Sequence, residues 1–400
     1  MAILYGIPVR WISYDIHSIL PELTDAKAAV LSLTAIPFQR SWAENLQAME
    51  LKREVAGTSK IEGADFTDRE LDEALAGATP DAKLTRSQRQ ARAAVNAYRW
   101  IGGLPPDLPI DEHLIGQIHR RIVTGCDDDH CAPGQLRGAG ENVGFGRPTH
   151  RGVEGGEECR SAFRRLCAAL NQEFRGHDPL IQALALHYHL GAMHPFQDGN
   201  GRTARAVEAL ILQRCQLKDA LFIAMSNYYY EEKQRYLATL SEVRERNYDL
   251  TPFLKFGLMG IALQCRRLLK EIRSHVQKAL FRDVMGTMYG RLRSPRKRAM
   301  GRRQCEILNR LLDREAPIDH LEFYETMEKL YKNLSSPIRA YVRDLNQLSS
   351  MKAINVKKVE NKFLVESRLE WATEITESLF YQQINRLPSA KTRLVITSWG

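Results

Sequence analysis

Residues 194–205 read HPFQDGNGRTAR, and they are the stretch from which the rest of the chain is interpreted. A histidine, an aspartate, a Gly-Asn-Gly turn and two arginines lie between one apolar helical pattern and another that begins near Thr203. Gly199 and Gly201 permit positive φ and a close approach of the backbone to a ligand. Successive N–H groups at such a turn, followed by a helix N-terminus, favour an anion. The stretch therefore predicts a polyphosphate site.

The side chains of the same stretch suit chemistry on a phosphate. Arg202 and Arg205 are three residues apart, so both can lie along the first turn of the second helix and face one anion. Asp198 supplies the hard oxygen ligand that Mg²⁺ prefers when it also binds substrate phosphates. His194 is of the residue type that most often serves as a general base near neutral pH.

The stretch resembles the signature HxFx(D/E)GNGRxxR of the Fic (filamentation induced by cAMP) family. All eight specified positions match: His194, Phe196, Asp198, Gly199, Asn200, Gly201, Arg202 and Arg205. The similarity extends to IQALALHYHLGAMHPF, to APGQLR and its loop, and to helices up to about residue 265. It implies an all-helical Fic core and transfer of AMP from ATP to a Tyr, Ser or Thr hydroxyl of a target protein, hence a transferase and nucleotidyltransferase.

The resemblance also implies a role for each matched position. His194 would deprotonate the attacking hydroxyl, and Asp198 would hold Mg²⁺. Attack would be in line at the α-phosphorus with pyrophosphate leaving. Phe196 would pack beneath the loop. The residues expected to bind ATP are Glu62, Asp198, Gly199, Asn200, Gly201, Arg202, Thr203, Ala204, Arg205 and Tyr236, the last of these near the adenine.

Two further segments resemble parts of Fic proteins. VAGTSKIEGA at residues 55–64 contains the pattern of an inhibitory motif, (S/T)xxxE(G/N), with Thr58, Glu62 and Gly63 at the specified positions. A carboxylate brought beside Arg205 would occupy the arginine that should hold the γ-phosphate, so autoinhibition is expected. The segment that corresponds to the target-docking flap consists of Asn142, Val143, Gly144 and Phe145, and it is richer in glycine than the usual flap.

The chain is expected to be mainly α, with five regions. These are an N-terminal helical region with the inhibitory helix (1–100), the Fic core with a short flap hairpin (101–270), a helix and basic linker (271–303), a winged helix-turn-helix (304–380) and a C-terminal tail (381–400). A linker is predicted at residues 291–303, which carry seven basic residues, because Pro295 and Gly301 are expected to interrupt a helix there. The winged helix is indicated by three helical segments and two strands around a Glu360–Asn361 turn.

The excess positive charge lies in the last third of the chain. Residues 271–400 hold 24 Lys and Arg against 15 Asp and Glu, whereas residues 1–270 hold 33 of each. Such asymmetry raises the expectation of a nucleic-acid or acidic partner for this part. The basic residues expected near a DNA-facing helix and wing are Arg339, Arg343, Lys352, Lys357 and Lys358. Contact with another protein remains an equal alternative, and a homodimer is a further possibility for the chain.

The composition, the N-terminal sequence and the cysteine content exclude several classes of protein. The apolar content excludes a disordered or collagen-like chain, and no apolar run is long enough for a membrane helix. The N-terminus lacks the pattern of a signal peptide, and seven scattered cysteines indicate a reducing compartment, so a cytoplasmic protein is expected. His187 and His189 are interpreted as structural, and so is the CDDDHC segment with Cys126, His130 and Cys131, whose spacing fits no standard zinc pattern.

Two alternatives to AMP transfer remain open from the sequence. The same fold could remove AMP from a target or transfer another phosphate-containing group, with Glu62 as a water-orienting base. The chain could instead be a DNA-binding regulator whose Fic part senses nucleotide.

Overall fold

The structure is a computed structural model that describes residues 3–35, 40–76, 83–146, 148–214, 223–385 and 396, with the backbone alone for residues 40–43. It divides into two compact units, residues 1–270 and 271–400. Among the described residues, no helix combines the length and apolar character that crossing a membrane requires. Six of the seven cysteines are described, and all six are free thiols.

The first unit consists almost entirely of helices, as the sequence predicted. In chain order its helices are α1 (Ile16–Ala35), α2 (Arg40–Ile61), α3 (Asp68–Ala76), α4 (Arg86–Gly102), α5 (Glu112–Val123), α6 (Glu157–Leu170), a 3-10 turn (Glu173–Gly176), α7 (Pro179–Met193), α8 (Asn200–Arg214), α9 (Met225–Glu231), α10 (Lys233–Glu245) and the start of α11 (Thr251–Gly290). Helix α8 begins at Asn200, three residues before the predicted start, so the glycine turn already forms its first turn.

Helix α7 is the central element of this unit. Asp178 caps its N-terminus by accepting a hydrogen bond from the Leu180 amide, and Pro179 occupies the first turn, where no amide partner is needed. Nearly all of its side chains are buried, because other helices cover it all round. Helix α8 packs along it. The loop between α7 and α8 is therefore held at both ends by buried helices.

A small sheet supplies the other wall of the site. Strand β1 (Ile3–Leu4) pairs in parallel with β3 (His150–Arg151), and β3 pairs in antiparallel register with β2 (Gly144–Phe145). The sheet order is β1-β3-β2, so β2 is an edge strand. The glycine-dense segment from Gly134 to Gly156 thus contains a short hairpin, as was predicted for the core.

The second unit contains the end of α11 and five further helices around a three-stranded sheet of order β4-β6-β5. The elements are α12 (Pro295–Leu312), β4 (Ile318–Asp319), α13 (His320–Tyr331), α14 (Pro337–Ser350), β5 (Ile354–Val359), β6 (Lys362–Ser367), α15 (Trp371–Glu374) and α16 (Glu377–Asn385). The two predicted strands around Glu360–Asn361 are present as β5 and β6. Their core is apolar, with Tyr331, Tyr341, Val365 and Trp371 almost fully buried.

The predicted linker is wrong, because residues 295–303 form the first half of helix α12. Pro295 stands in the first turn, where its missing N–H has no partner to lose. Gly301 is buried at a close approach, where a Cβ would lie 2.9 Å from the Tyr289 ring. Both residues that appeared to break the helix are therefore compatible with it. Of the predicted tail, residues 386–395 and 397–400 lie outside the described part.

Candidate active site

The loop between α7 and α8 is closed by its own side chains. The Asn200 amide group accepts a hydrogen bond from the Phe196 N–H (2.9 Å) and donates one to the Phe196 carbonyl (2.8 Å). Phe196 is fully buried and stacks on His119 with ring centroids 3.8 Å apart. Gly199 has φ of 75°, and a Cβ there would lie 2.7 Å from a methyl of Val123. A glycine is therefore required at 199 for two separate reasons.

His194 ends helix α7 in the left-handed conformation, with φ of 52°. Its Nδ1 lies 2.6 Å from the Gly191 carbonyl, an acceptor, so Nδ1 carries the proton and Nε2 is left to receive one. Its ring stacks on Phe145 of β2, with centroids 3.8 Å apart. Burial is the largest influence on this imidazole and lowers the pKa of His194 to about 4. The side chain is partly exposed, so it is reachable as a neutral base.

Arg137 supports the unusual backbone at His194. It is buried, and its guanidinium donates to the carbonyls of His194, Glu141 and Val153. A left-handed conformation at a residue with a Cβ costs roughly 1–2 kcal/mol. The charge-assisted hydrogen bond from Arg137 to the His194 carbonyl helps to offset that cost. The same side chain ties the loop that carries the flap to the loop that carries the histidine.

Asp198 is held at the cavity edge by backbone contacts. Its carboxylate accepts the Gly199 N–H at 2.6 Å, and its side chain is 40% exposed. Its carbonyl accepts a hydrogen bond from Nε2 of His119, whose Nδ1 accepts the Gly134 N–H. Burial lowers the pKa of His119 to about 4, consistent with this neutral tautomer. Asp198 thus presents a carboxylate from a fixed backbone.

Arg202 is directed mainly at a buried carboxylate, and its guanidinium also lies 3.6 Å from the carboxylate of Asp198 at the cavity wall. Its guanidinium donates to Asp127 at 2.6 Å, and Asp127 is fully buried. Arg86 and Gln90 of α4 donate to the same carboxylate. Burial would raise the pKa of Asp127, but Arg202 and Arg86 outweigh it and lower the pKa to about 2. Arg202 and Arg205 therefore do not converge on one point in this structure.

Arg205 is paired with Glu62. The guanidinium donates to Oε1 of Glu62 at 2.6 Å and to Oγ1 of Thr58 at 2.9 Å. The Arg205 side chain is 2% exposed and that of Glu62 is 38% exposed. Burial raises the pKa of Glu62, but the charge and hydrogen bond of Arg205 outweigh it, so the net shift is downward. The pair is therefore ionised at neutral pH.

The carboxylate of Glu62 lies over the first turn of α8. A Cβ on Gly201 would lie 2.5 Å from Oε1 of Glu62, which measures how closely the carboxylate approaches the glycine. The first N–H groups of a helix have no intrahelical partner and attract anions. Glu62 thus occupies the place that an anionic ligand of this helix would take. Helix α2 ends at Ile61, so Glu62 belongs to the turn that follows, where Gly63 has φ of 87°.

Helix α2 is held in this position by a polar stripe. Glu50, Glu54, Thr58 and Glu62 recur at every fourth residue, and the first three side chains are buried. Glu50 accepts the Ala224 N–H and Glu54 accepts the Ser226 N–H, at the N-terminus of α9. Burial raises the pKa of Glu54 to about 7. Helix α2 is therefore docked through hydrogen bonds as well as through apolar contacts.

A cavity of about 620 Å³ joins these groups. Its wall includes Glu62, Phe145, His194, Asp198, Gly199, Asn200, Gly201, Arg205 and Tyr236. Arg202, Thr203 and Ala204, which were expected to bind ATP, are buried and are not part of that wall. Tyr236 is 4% exposed and stacks on Tyr229 with centroids 4.6 Å apart, so one face of its ring is covered.

The four residues predicted to form a flap lie in and beside the short hairpin. Gly144 and Phe145 form β2, the Val143 carbonyl accepts the Gly152 N–H, and Asn142 bonds to Glu154 and to the Gly155 amide. His187 and His189 face opposite sides of α7. His187 contacts Glu208 and Tyr236, whereas His189 contacts Tyr5 and the Trp11 carbonyl. Among the described residues, no group of three or more His, Cys, Asp or Glu is arranged to hold a metal ion.

Sequence reasoning missed several residues that shape the site. Asp127 was included only in a segment interpreted as a polar loop, and three adjacent aspartates give no sign of which one is buried. Arg137 follows the APGQ sequence, but nothing local shows that its guanidinium binds three carbonyls. The side chain of Lys233 donates to the Ile61 carbonyl at 2.8 Å, at the end of α2, across a separation of 172 residues. These contacts depend on packing between distant helices.

Comparison with known proteins gives a family for part of the chain. Residues 109–212 match the sequence model described as the Fic/DOC family. A 151-residue segment is 29% identical to "Protein adenylyltransferase fic-1" of Caenorhabditis elegans, and this segment is 38% of the chain and 26% of that relative. The relative of the same name from Caenorhabditis briggsae is equally similar. The match thus spans about a quarter of the length of these curated relatives.

Solved structures support the fold over a longer range. A Fic family protein from Desulfovibrio desulfuricans G20 has a TM-score of 0.57 at 16% identity, covering 89% of this chain and 98% of that one. Fic-1 (residues 134–508) from C. elegans has a TM-score of 0.53 at 21% identity, covering 64% of this chain and 73% of that one. Residues 109–212 therefore match the Fic/DOC family model, and the chain has the fold of solved Fic proteins.

Proposed function

We propose that this chain is a protein adenylyltransferase that transfers AMP from ATP to a Tyr, Ser or Thr hydroxyl of a target protein, and that Glu62 holds it in an inhibited state. The observation that carries the proposal is one cavity onto which a neutral histidine, an anion-binding helix N-terminus and a buried arginine all open. The similarity to proteins named adenylyltransferases supports AMP transfer as the reaction type.

The chemistry assigned to His194 follows from its tautomer. Because Nδ1 donates to the Gly191 carbonyl, Nε2 can take the proton of a target hydroxyl. The new bond joins that oxygen to the α-phosphorus, the bond between the α- and β-phosphates breaks, and pyrophosphate leaves. The flap strand β2, an edge strand beside His194, would pair with the main chain of the target.

The phosphates would lie along the glycine turn. The N–H groups of Asn200 and Gly201 open the first turn of α8, and Arg205 stands one turn further along. Asp198 would hold Mg²⁺, because its partly exposed carboxylate lies at the cavity wall and offers the oxygen ligand that this ion prefers. One carboxylate suits an ion that keeps most of its waters and binds substrate phosphates. Such an ion would neutralise charge on the phosphates.

Inhibition would come from the position of Glu62. Its carboxylate sits over Gly201 and neutralises Arg205, so the outermost phosphate of ATP would meet a negative charge where it needs a positive one. ATP bound beside it would be displaced along the cavity, with its α-phosphorus out of line for attack. Thr58 reinforces the arrangement because it binds the same guanidinium.

Incubation with ATP labelled at either the α- or the γ-phosphate tests the reaction. We expect α-label to be incorporated into protein and γ-label to be released as pyrophosphate, because the bond between the α- and β-phosphates breaks. The chain with Glu62 replaced by Gly is the appropriate enzyme, since its arginine is free. Incorporation of γ-label would indicate phosphoryl transfer instead. Loss of AMP from a premodified target, abolished by Glu62→Gln, would favour the reverse reaction.

For residues 304–380 we propose a winged helix-turn-helix that contacts DNA through the first half of α14 and the β5–β6 hairpin. Arg339, Lys352 and Lys362 are exposed and have no carboxylate within ion-pair distance among the described residues. Basic side chains in that state are free to neutralise phosphates. The second half of α14 is less available, because the Asn346 amide exchanges hydrogen bonds with the backbone of Ile396. Contact with another protein is the alternative.

Fluorescence anisotropy with a labelled DNA duplex tests this module. We expect affinity to fall steeply between 50 and 200 mM salt, and Arg339→Glu to weaken binding roughly tenfold and make the salt dependence shallower. Arg10→Glu, the same change of charge at an exposed position in the first unit, is the matched control and should have little effect. Equal losses from both variants, or binding that ignores salt, would contradict a DNA surface at α14.

A further inference from the structure

Lys233 contributes a second cation to the end of the cavity where Arg205 lies. Its Nζ donates at 2.8 Å to the carbonyl of Ile61, the residue that precedes Glu62. The cavity wall includes Lys233, Ile61, Glu62, Gly201 and Arg205. Two cations therefore hold two consecutive residues at the end of α2. Arg205 binds the side chain of Glu62, and Lys233 binds the backbone of Ile61.

The ammonium of Lys233 has hydrogen-bonding capacity that its protein contacts do not use. An ammonium carries three donors, and the Ile61 carbonyl takes one of them. Among the described residues, Nζ has no second hydrogen-bond acceptor and no carboxylate within ion-pair distance. The charge of Arg205, by contrast, is balanced by Glu62. The cavity wall thus carries one cation whose charge is unbalanced and whose two further donors suit the oxygens of an anion.

The position of Lys233 in its helix is unfavourable for a cation. Lys233 is the first residue of α10, where the helix dipole favours an acidic side chain. The last carbonyls of α2 carry partial negative charge, so the contact with Ile61 offsets part of this disadvantage. A neutral carbonyl leaves the full positive charge in place. An anionic ligand in the cavity would balance it.

We infer that Lys233 binds the outermost phosphate of ATP together with Arg205 once Glu62 no longer occupies that end of the cavity. The inference rests on the proposed function and adds a binding residue for the same substrate. Because Ile61 takes only one donor, Lys233 can keep this contact and bind a phosphate oxygen at the same time. The phosphate would then lie between a guanidinium from α8 and an ammonium from α10.

Nucleotide binding measured by calorimetry tests the inference in a parent chain with Glu62→Gly and His194→Asn, in which Arg205 is free and ATP is not consumed. Lys233→Gln removes the charge but keeps a donor for the Ile61 carbonyl. We expect ATP affinity to fall about tenfold, the usual effect of losing a hydrogen bond to a charged group. AMP lacks the outermost phosphate, so its affinity should change by less than about twofold. Lys233→Arg keeps the charge and should retain most of the ATP affinity.

The matched control is Arg235→Gln, which removes an exposed cation from the same helix. Arg235 pairs with Glu232 and is not part of the cavity wall, so both affinities should stay unchanged. Equal losses for ATP and AMP in Lys233→Gln, no loss for either, or an equal loss of ATP affinity in the control would overturn the inference. A role confined to the end of α2 would lower the melting temperature and leave the ratio of the two affinities unchanged. If the parent chain binds neither nucleotide, the proposed function itself falls, and that result is visible before Lys233 is replaced.

Discussion

Replacing Glu62 by Gly should increase AMP incorporation on the order of tenfold to a hundredfold. The substitution removes the carboxylate that pairs with Arg205 and covers Gly201, and so frees both groups for the phosphates of ATP. This factor is the free energy of one hydrogen bond between charged groups, converted into a ratio between the inhibited and the uninhibited populations of the protein. The measurement is incorporation of α-labelled ATP into the protein itself and into added target, at equal enzyme concentration.

The matched control for this substitution is Asp65→Gly, which removes an exposed carboxylate three residues further along the same turn. It should leave incorporation at the level of the unmodified chain. Glu62→Gln should lie between the two, because the amide keeps the size of the side chain but neutralises its charge. Equal incorporation by Glu62→Gly and the unmodified chain would contradict autoinhibition. Absence of label in both would contradict the transferase.

The sequence predicts those parts of the site whose contacts join residues close together along the chain. The loop from His194 to Asn200 is closed by contacts between near neighbours, such as the Asn200 amide on the Phe196 backbone, so a short pattern specifies its geometry. Asp127 and Arg137 could not be assigned in this way. Each acts on residues far along the chain, and the two aspartates that follow Asp127 are equally plausible candidates by sequence.

Helix α2 shows why some elements were underestimated. The spacing of apolar residues predicts a helix over residues 42–55, whereas α2 continues to Ile61 through Gly57, Thr58 and Ser59, all weak helix formers. Tertiary contact compensates. A Cβ on Gly57 would lie 2.3 Å from the backbone of Ser226, so the glycine permits the close approach of α9. This helix buries polar side chains as well as Leu46, Leu51 and Val55, so hydrophobic periodicity alone could not reveal which face is covered.

Substitution of His194 should reduce AMP incorporation by a factor of about a thousand in the Glu62→Gly protein, where the starting rate is high. General-base catalysis typically contributes 10²–10⁴ to a rate. His119, the other imidazole beside this loop, has both ring nitrogens in hydrogen bonds to the backbone and is not free to replace it. Because residue 194 adopts φ of 52°, His194→Asn is preferable to His194→Ala, since asparagine tolerates the left-handed conformation better. The measurement is the initial rate of α-label incorporation with both variants.

Two accompanying measurements decide whether such a loss is chemical. ATP affinity and the melting temperature should stay near those of the Glu62→Gly parent, because His194 contacts the Gly191 carbonyl and Phe145 and makes none of the hydrogen bonds that hold Arg205. If ATP affinity falls together with the rate, the histidine shapes the cavity rather than accepting the proton. Should either variant retain more than about a tenth of the parent rate, another group must accept the proton of the target hydroxyl, and the assignment of His194 as the base would be wrong.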